Sequence, residues 1–285
     1  MKALVTGASG QLARALQRGC PGGVDLVALG SDKLDITDPG QIERAVAGLR
    51  PDVILNAAAF TAVDTAQEQP ERAQAINDSG VRLLADAAHA LGARLVHVST
   101  DYVFDGQATQ PYPPGAAPHP LNTYGRTKLA GEGHLAANDI LVRTAWVHGA
   151  PQGTFVVAML KLMRDRHALD IVADQSSTPT GVTSLAAALW HLVRGDHAGS
   201  YHFTDSGSAS RYDFAKAIME EALDLGLLAR PVALNPVPAS QFPSAALRPA
   251  YSVLDSSETY AALGWTPPHW RENLRRELAA VAAHG

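Results

Sequence analysis

The chain has 285 residues, 46% of them apolar and 18% charged, with a net charge of −5 and a pI near 6.1. That length suits one compound globule or two intimate domains with a substantial core. The acidic balance supplies no basic field to draw nucleic acid or an anionic membrane, and no apolar run approaches the roughly 18 residues of a membrane span.

Met1-Lys2 leads directly into the first strand, Lys2–Thr6, so no signal peptide is expected and the expected compartment is the cytoplasm. The strand runs into Gly7-Ala8-Ser9-Gly10-Gln11-Leu12-Ala13, and a helix follows over Gln11–Arg18. Gly7 allows a tight turn, Gly10 lets the backbone approach a pyrophosphate at the positive end of the helix, and Ala13 permits close helix–sheet packing. Taken alone, such a turn is as often plain strand–turn–helix as a dinucleotide site. Cys20, the single cysteine, reads as a bystander near the end of this helix; it excludes an internal disulfide and a cysteine-built zinc site.

Strands are expected at Asp25–Leu29, Asp52–Asn56, Arg94–Ser99 and Ile140–Thr144, alternating with helices at Pro39–Leu49, Gln69–Leu91 and Tyr124–Ala137. Nearly continuous apolar strands imply a sheet buried on both faces, and the strand–helix alternation implies parallel order. The second strand ends Val27-Ala28-Leu29-Gly30-Ser31, where an NAD-selective site carries an acidic residue for the ribose 2′-hydroxyl. Gly30 and Ser31 leave room there and Lys33 can meet a 2′-phosphate, although Asp32 is close enough to bind the hydroxyl instead. NADPH is the expected cofactor, with NADH as a second one.

The fourth strand leads into Ser99-Thr100-Asp101, whose hydroxyls suit a carbonyl, and Pro113, Pro114, Pro118 and Pro120 mark a loop before the next helix. That helix carries Tyr124 and Lys128 in Asn122-Thr123-Tyr124-Gly125-Arg126-Thr127-Lys128. The spacing puts both side chains on one face, one turn apart. An ammonium there favours phenolate, drawing the tyrosine down from about 10 toward working pH. A phenol so poised gives a proton to a carbonyl oxygen or takes one from an alcohol. Tyr–Lys pairs meet by chance in many helices, and the glycine turn and Thr100 lend this one its weight.

Composition shifts after Thr144. A helix over Val182–Val193, following Asp170–Ala173, and a strand over Tyr201–Thr204 are expected to return to the sheet. Pro231, Pro236, Pro238 and Pro243 mark irregular segments, and Arg271–Ala283 reads as a terminal amphipathic helix. The expected fold is α/β: a Rossmann-type doubly wound parallel sheet with a smaller C-terminal substrate-binding region. The dinucleotide-binding domain is placed at 1–150, with returning segments about 181–204, and the mainly substrate-binding remainder at 151–285. The histidines show no HxxxH or HExxH spacing, so no metal site is expected.

Longer motifs run nearly end to end. They are Gly7-Ala8-Ser9-Gly10-Gln11-Leu12, Leu34-Asp35-Ile36-Thr37, Asn56-Ala57-Ala58-Ala59-Phe60-Thr61-Ala62-Val63-Asp64 and Ser99-Thr100-Asp101-Tyr102-Val103-Phe104-Asp105-Gly106. Further on come Tyr124-Gly125-Arg126-Thr127-Lys128-Leu129-Ala130-Gly131-Glu132, Arg143-Thr144-Ala145-Trp146, Asp174-Gln175 with Thr178-Pro179-Thr180-Gly181, and Arg248-Pro249 with Ser252 and Leu254-Asp255. Together they resemble the extended short-chain dehydrogenase/reductases, and within these the dTDP-4-dehydrorhamnose reductases.

The resemblance implies reduction of the C4 ketone of a dTDP-linked 6-deoxyhexulose, dTDP-4-dehydro-L-rhamnose to dTDP-L-rhamnose, by a nicotinamide hydride. Tyr124 would protonate the developing alkoxide, Lys128 would hold the nicotinamide ribose and depress the tyrosine, and Thr100 would hydrogen-bond the ketone. Tyr102 and Trp146 resemble sugar-contacting positions, though plain packing is the competing reading of both. Gly7, Gly10, Gln11 and Leu12 would face the pyrophosphate, Asp35 and Ile36 the adenine, and Ala57, Ala58, Ala59 and Thr61 the cofactor trough. Arg248 suits the diphosphate, its guanidinium fork matching phosphate oxygens, with a structural ion pair as the alternative. Asp64 reads as a loop brace, and Asp174-Gln175 either orients a loop or reaches the substrate.

Three positions depart from the family pattern. Ser177 stands where glycine is usual, Gln67 where an acidic residue is common, and Ala15 where some bacterial members carry a glutamate that helps hold magnesium at a dimer interface. The first helix offers Gln11, Arg14, Ala15 and Arg18 instead, so a monomer or a metal-independent homodimer is expected. Other readings are a nucleotide-sugar epimerase or dehydratase, for which Thr100-Asp101-Tyr102 lacks the dehydratase Asp-Glu pair, and a non-catalytic nucleotide-binding regulatory subunit.

Overall fold

The computed structural model describes residues 1–149 and 155–283. Strand β1 (Lys2–Thr6) turns at Gly7 into helix α1 (Gln11–Arg18), β2 (Asp25–Leu29) follows, and α2 (Pro39–Leu49) starts with Pro39 behind an Asp38 cap that accepts from Gln41 N. Strand β3 (Val53–Asn56) leads to the helices α3 (Val63–Glu68), α4 (Pro70–Gln74) and α5 (Gly80–Ala90), then to β4 (Arg94–Thr100), α6 (Thr123–Glu132) and β5 (Ile140–Thr144). These strands and Gly199–His202 form one parallel sheet of six strands, in the order β2-β1-β3-β4-β5 and then Gly199–His202.

Alternate residues of each strand feed different cores, as a pleat of period two requires. Ala3, Val5, Val53, Leu55 and Val96 pack under α1 and the helix Val182–Arg194, while Leu4, Ile54 and Leu95 pack under α2 and α5. Trp190 locks the first side by donating from Nε1 to Leu16 O at 2.9 Å. The direction of winding reverses between β1 and β3, so the crevice for a ligand opens beyond the carboxyl ends of those two strands.

A separate core lies outside this sheet. Helices Phe155–Asp165, Arg211–Asp224 and Trp270–Ala282 bury Leu160, Met163, Phe214, Ile218, Leu274 and Leu278 against one another. Strands Ala168–Val172 and Ala233–Val237 pair in parallel beside them. Among the described residues no helix is long and apolar enough to cross a membrane.

Several elements differ from expectation, each for a physical reason. The helix expected over Gln69–Leu91 is interrupted by a π turn at Ala75–Ser79, where Asn77 turns inward to bind Phe60 N at 2.8 Å, Phe60 O at 3.0 Å and Thr127 Oγ1 at 3.2 Å. The helix expected to reach Ala137 ends at Glu132, before Gly133. The proline-rich stretch after Pro231 is not irregular throughout: Ala233–Val237 is a strand with one neighbour, where the missing Pro236 N–H costs little. The returning strand begins at Gly199 rather than Tyr201. Helices Phe155–Asp165 and Arg211–Asp224 lie in stretches without an expected element. The expected boundary at 150/151 lies outside the described residues.

Candidate active site

The first wall of the crevice is backbone. Gly7 sits at φ +66°, and a Cβ on it would stand 3.0 Å from Ala58 Cα, so only glycine lets the turn after β1 close on the segment after β3. Gly10 precedes α1 with extended backbone and no side-chain cap, which leaves the first amides of the helix to meet an anion. Gln11 donates from Nε2 to Val147 O at 3.3 Å, and its Oε1 is buried without a hydrogen-bond partner. A glycine turn closed tightly on the segment after β3 and an uncapped helix start, whose free N–H groups donate, together fit a dinucleotide pyrophosphate.

Around this turn, Leu12 packs on the core, Ala57, Ala58 and Ala59 are half-buried, and Thr61 is exposed. Asp35 accepts from Thr37 N and Oγ1, shaping a turn, and Ile36 is buried among the side chains under α5. Ala15 does not lie on an outward face of α1: it is buried against the helix Val182–Arg194, while Arg14 and Arg18 are exposed. Among the described residues no cluster of His, Cys, Asp or Glu could hold a metal ion.

Tyr124, Thr100 and Lys128 converge where α6 crosses the end of β4. Asn122 caps α6 by accepting from Gly125 N at 2.8 Å, and Gln67 Oε1 accepts from Thr123 N at 3.1 Å. Gly125 lets the helix press on the Tyr102 carbonyl, where a Cβ would collide. Half-buried Tyr124 hydrogen-bonds the Thr100 side chain, and Tyr102 meets its ring edge-on at 5.8 Å between centroids. Burial pushes the Tyr124 phenol above its ordinary value, and the Thr100 hydrogen bond only partly offsets this. Lys128 donates to Val98 O at 2.7 Å and meets His97 Nε2 at 3.1 Å, and burial brings it down to about 8. The expected lowering of Tyr124 by Lys128 is thus corrected: desolvation dominates the phenol, and the lysine is committed to β4.

Asp101 is the group the motif contained but for which no role was expected. Its buried carboxylate accepts from Ser252 Oγ at 2.5 Å, Thr100 Oγ1 at 3.0 Å and Ser177 Oγ at 3.1 Å. Burial raises it to about 6 despite these donors. Ser177, the departure from glycine, is one of the hydroxyls that fix Asp101 and, through it, Thr100.

Next to these groups opens a cavity of about 1140 Å³, lined among others by Arg211, Arg248, Gln175, Phe155, Phe242 and Leu247. Arg211 lies 3.6 Å over the Trp146 ring and 5.1 Å over Phe155, and it hydrogen-bonds Tyr102. Trp146 is held at φ +41°, a conformation a bulky residue adopts only under constraint. Arg248 makes the ion pair that was its alternative reading: Nη2 is 2.5 Å from Asp64 Oδ2, while the residue still lines the cavity. Asp64 also accepts from Ala246 N, and Asp174 from Ala239 N, so both brace the loop that borders the cavity. Arg211 has no sequence mark beyond being a lone cation ahead of an apolar helix pattern. Only its stacking in three dimensions sets it apart.

The chain matches the family model described as RmlD substrate binding domain over residues 1–283. It is 37% identical over 290 residues to the dTDP-4-dehydrorhamnose reductase of Escherichia coli (strain K12), covering 98% of this chain and 97% of that protein. The crystal structure of a dTDP-4-dehydrorhamnose reductase from Clostridium acetobutylicum matches with a TM-score of 0.93 at 35% identity, over 99% of both chains. That of the Bacillus anthracis dTDP-4-dehydrorhamnose reductase in complex with NADP matches at 0.92 and 35%, over 98% of this chain and 99% of that one.

Proposed function

The chain belongs to the dTDP-4-dehydrorhamnose reductase family, and from that premise we propose that it reduces the C4 ketone of dTDP-4-dehydro-L-rhamnose to dTDP-L-rhamnose at the Tyr124–Thr100 pair. It is an NADPH-dependent oxidoreductase. The observation that carries the assignment of the site is the Tyr124–Thr100 hydroxyl pair, linked through Tyr102 to Arg211 of the arginine-lined cavity.

When bound, the nicotinamide supplies the hydride to C4. Thr100 and Tyr124 hold the ketone oxygen, and the hydroxyl dipoles stabilise the charge that develops there. Tyr124, kept protonated by burial, gives its proton to that oxygen as it becomes an alkoxide. Without substrate Asp101 accepts the Thr100 hydroxyl and so fixes its position; the hydroxyl turns its single proton from Asp101 to the ketone oxygen when the substrate is bound. Arg211 and Arg248 face the diphosphate, and the Trp146–Arg211 stack, together with Tyr102, faces the sugar.

The six-stranded sheet serves as the nucleotide half and the core built from residues 155–172 and 205–283 mainly as the sugar-nucleotide half. A cytoplasmic location, secondary use of NADH, and a monomer or metal-independent homodimer belong to the same proposal. The test is NADPH oxidation by the purified protein given the dTDP-keto sugar prepared enzymatically from dTDP-glucose. Consumption of NADPH with formation of dTDP-rhamnose is expected; a protein that binds NADPH but leaves the keto sugar unchanged would refute the reading.

A further inference from the structure

Three consecutive residues beside the cavity, Ala246, Leu247 and Arg248, are held by side chains of two helices distant in sequence. Asp64, in the first turn of α3, accepts from Ala246 N at 3.1 Å and from both tips of the Arg248 fork, Nη1 at 3.2 Å and Nη2 at 2.5 Å. Asn122, the cap of α6, donates from Nδ2 to Leu247 O at 2.7 Å while its Oδ1 holds Gly125 N. The Ala246 carbonyl in turn accepts from Arg248 Nη1 at 3.2 Å. One strap therefore joins the helix after β3, the start of the helix that carries Tyr124, and Arg248.

A guanidinium carries five N–H groups in one rigid plane. Nη1 and Nη2 each give one to Asp64, and Nη1 gives its second to Ala246 O. What remains is a single edge, Nε–H beside the second Nη2–H, a pair that matches the oxygens of a phosphate. Arg248 lines the cavity, and Tyr102, whose ring meets Tyr124, hydrogen-bonds the same guanidinium. The open edge thus looks toward the Tyr124–Thr100 pair.

The side chains of Arg248 and Asp64 are 23% and 44% exposed, and an ion pair that open adds little to stability. Its effect is geometric, because a long arginine side chain left free samples many rotamers. The Arg248 hydrogen bond holds the Asp64 carboxyl below the usual carboxylate range, so the partner is ionised at neutral pH.

We propose that Asp64 is a positioning residue for the sugar nucleotide: it fixes Arg248 with its open edge toward the diphosphate, at a set distance from Tyr124. This rests on the reading of Arg248 as a diphosphate contact. Plain Coulomb attraction argues the other way, since a carboxylate beside the site repels a diphosphate. The two effects have opposite signs.

The test is calorimetric titration with dTDP, and separately with NADPH, of the native protein, Asp64→Asn, Arg248→Ala and the double variant. Asparagine keeps an oxygen for Ala246 N but turns an amide N–H against the guanidinium. Asp64→Asn should weaken dTDP binding about tenfold, keep the NADPH Kd within about twofold, and raise KM for the keto sugar more than it lowers kcat. Arg248→Ala should weaken dTDP by about ten- to a hundredfold, and adding Asp64→Asn to it should change nothing further. Tighter dTDP binding by Asp64→Asn, or losses that add in the double variant, overturn the proposal. Joint loss of dTDP and NADPH affinity with a lower urea midpoint marks a structural brace and overturns it as well. A native protein that binds no dTDP overturns the diphosphate reading and this proposal together. Binding that follows the cycle without any reduction of the keto sugar refutes the assigned reaction alone.

Discussion

The two walls of the proposed active site, one for the cofactor and one for the substrate, are built by different means. The cofactor wall is backbone: a left-handed Gly7, an uncapped helix start and a row of alanines, all within a few residues of the ends of β1 and β3. The substrate wall is side chain: Arg211 stacked on Trp146, Arg248 braced by Asp64, and Asp101 gripped by Ser177 and Ser252. A backbone wall recognises what every dinucleotide shares, and a side-chain wall can be changed one residue at a time. In the proposed site Tyr124 and Thr100 stand where the two walls meet.

The sharpest break in this comparison is at that meeting point. Tyr124→Phe keeps the ring and its packing on Tyr102 but removes the proton. Turnover should fall by roughly two orders of magnitude or more while NADPH binding is retained. Single-turnover kinetics beside fluorescence titration of NADPH measure both, and near-normal turnover would end the assignment.

On the substrate wall alone, Arg211→Ala should raise KM for the sugar nucleotide by about ten- to a hundredfold, as loss of a charge-assisted hydrogen bond does, and leave the NADPH Kd unchanged. An equal loss in both affinities would show that the two walls are not separable.

Asp101 sharpens the contrast through pH. Its folded value of about 6 lies above that of an ordinary carboxyl, so its ionisation opposes folding at neutral pH. Its contribution is fully favourable below the unfolded value near 4 and is lost as pH rises through 6. Stability at pH 5 relative to pH 7 should therefore be more favourable in the native chain than in Asp101→Asn, by on the order of 1 to 2 kcal/mol. Denaturant titrations at the two pH values check this; a matching pH difference in both proteins would contradict it.

On the cofactor wall the expected effect is smaller. NADPH should be preferred over NADH in kcat/KM, and Lys33→Ala should narrow that preference by several-fold, the scale of one exposed charge contact. A stronger preference for NADH in the native chain would show that Asp32, whose Oδ1 lies over Gly30, binds the ribose hydroxyl instead. Least of all should change on chelation. With Ala15 buried and Arg14 and Arg18 outward, light scattering should give the same mass in EDTA and in excess magnesium.

Legibility followed the same division. β1, α1, β2, α2 and β5 have the bounds expected from sequence, because strand and helix periodicity and nearby glycine, proline and aspartate act over a few residues. The π turn escaped that reading, since it exists to let Asn77 reach Phe60 and Thr127. The strand Ala233–Val237 escaped it because its prolines are tolerated only once a single neighbour is known.

The sequence by itself determined the alternating sheet, the glycine cradle and the helical Tyr124–Lys128 pair, all set by contacts close along the chain. Tertiary structure alone decided the charge environment of that pair and the shape of the substrate wall. Asp101 and Ser252 are 151 positions apart, and Asp64 and Arg248 are 184 apart, with no local pattern to link them. The phenol and the lysine take their proton affinities from burial, and burial is a property of everything packed around a group, whatever its spacing along the chain.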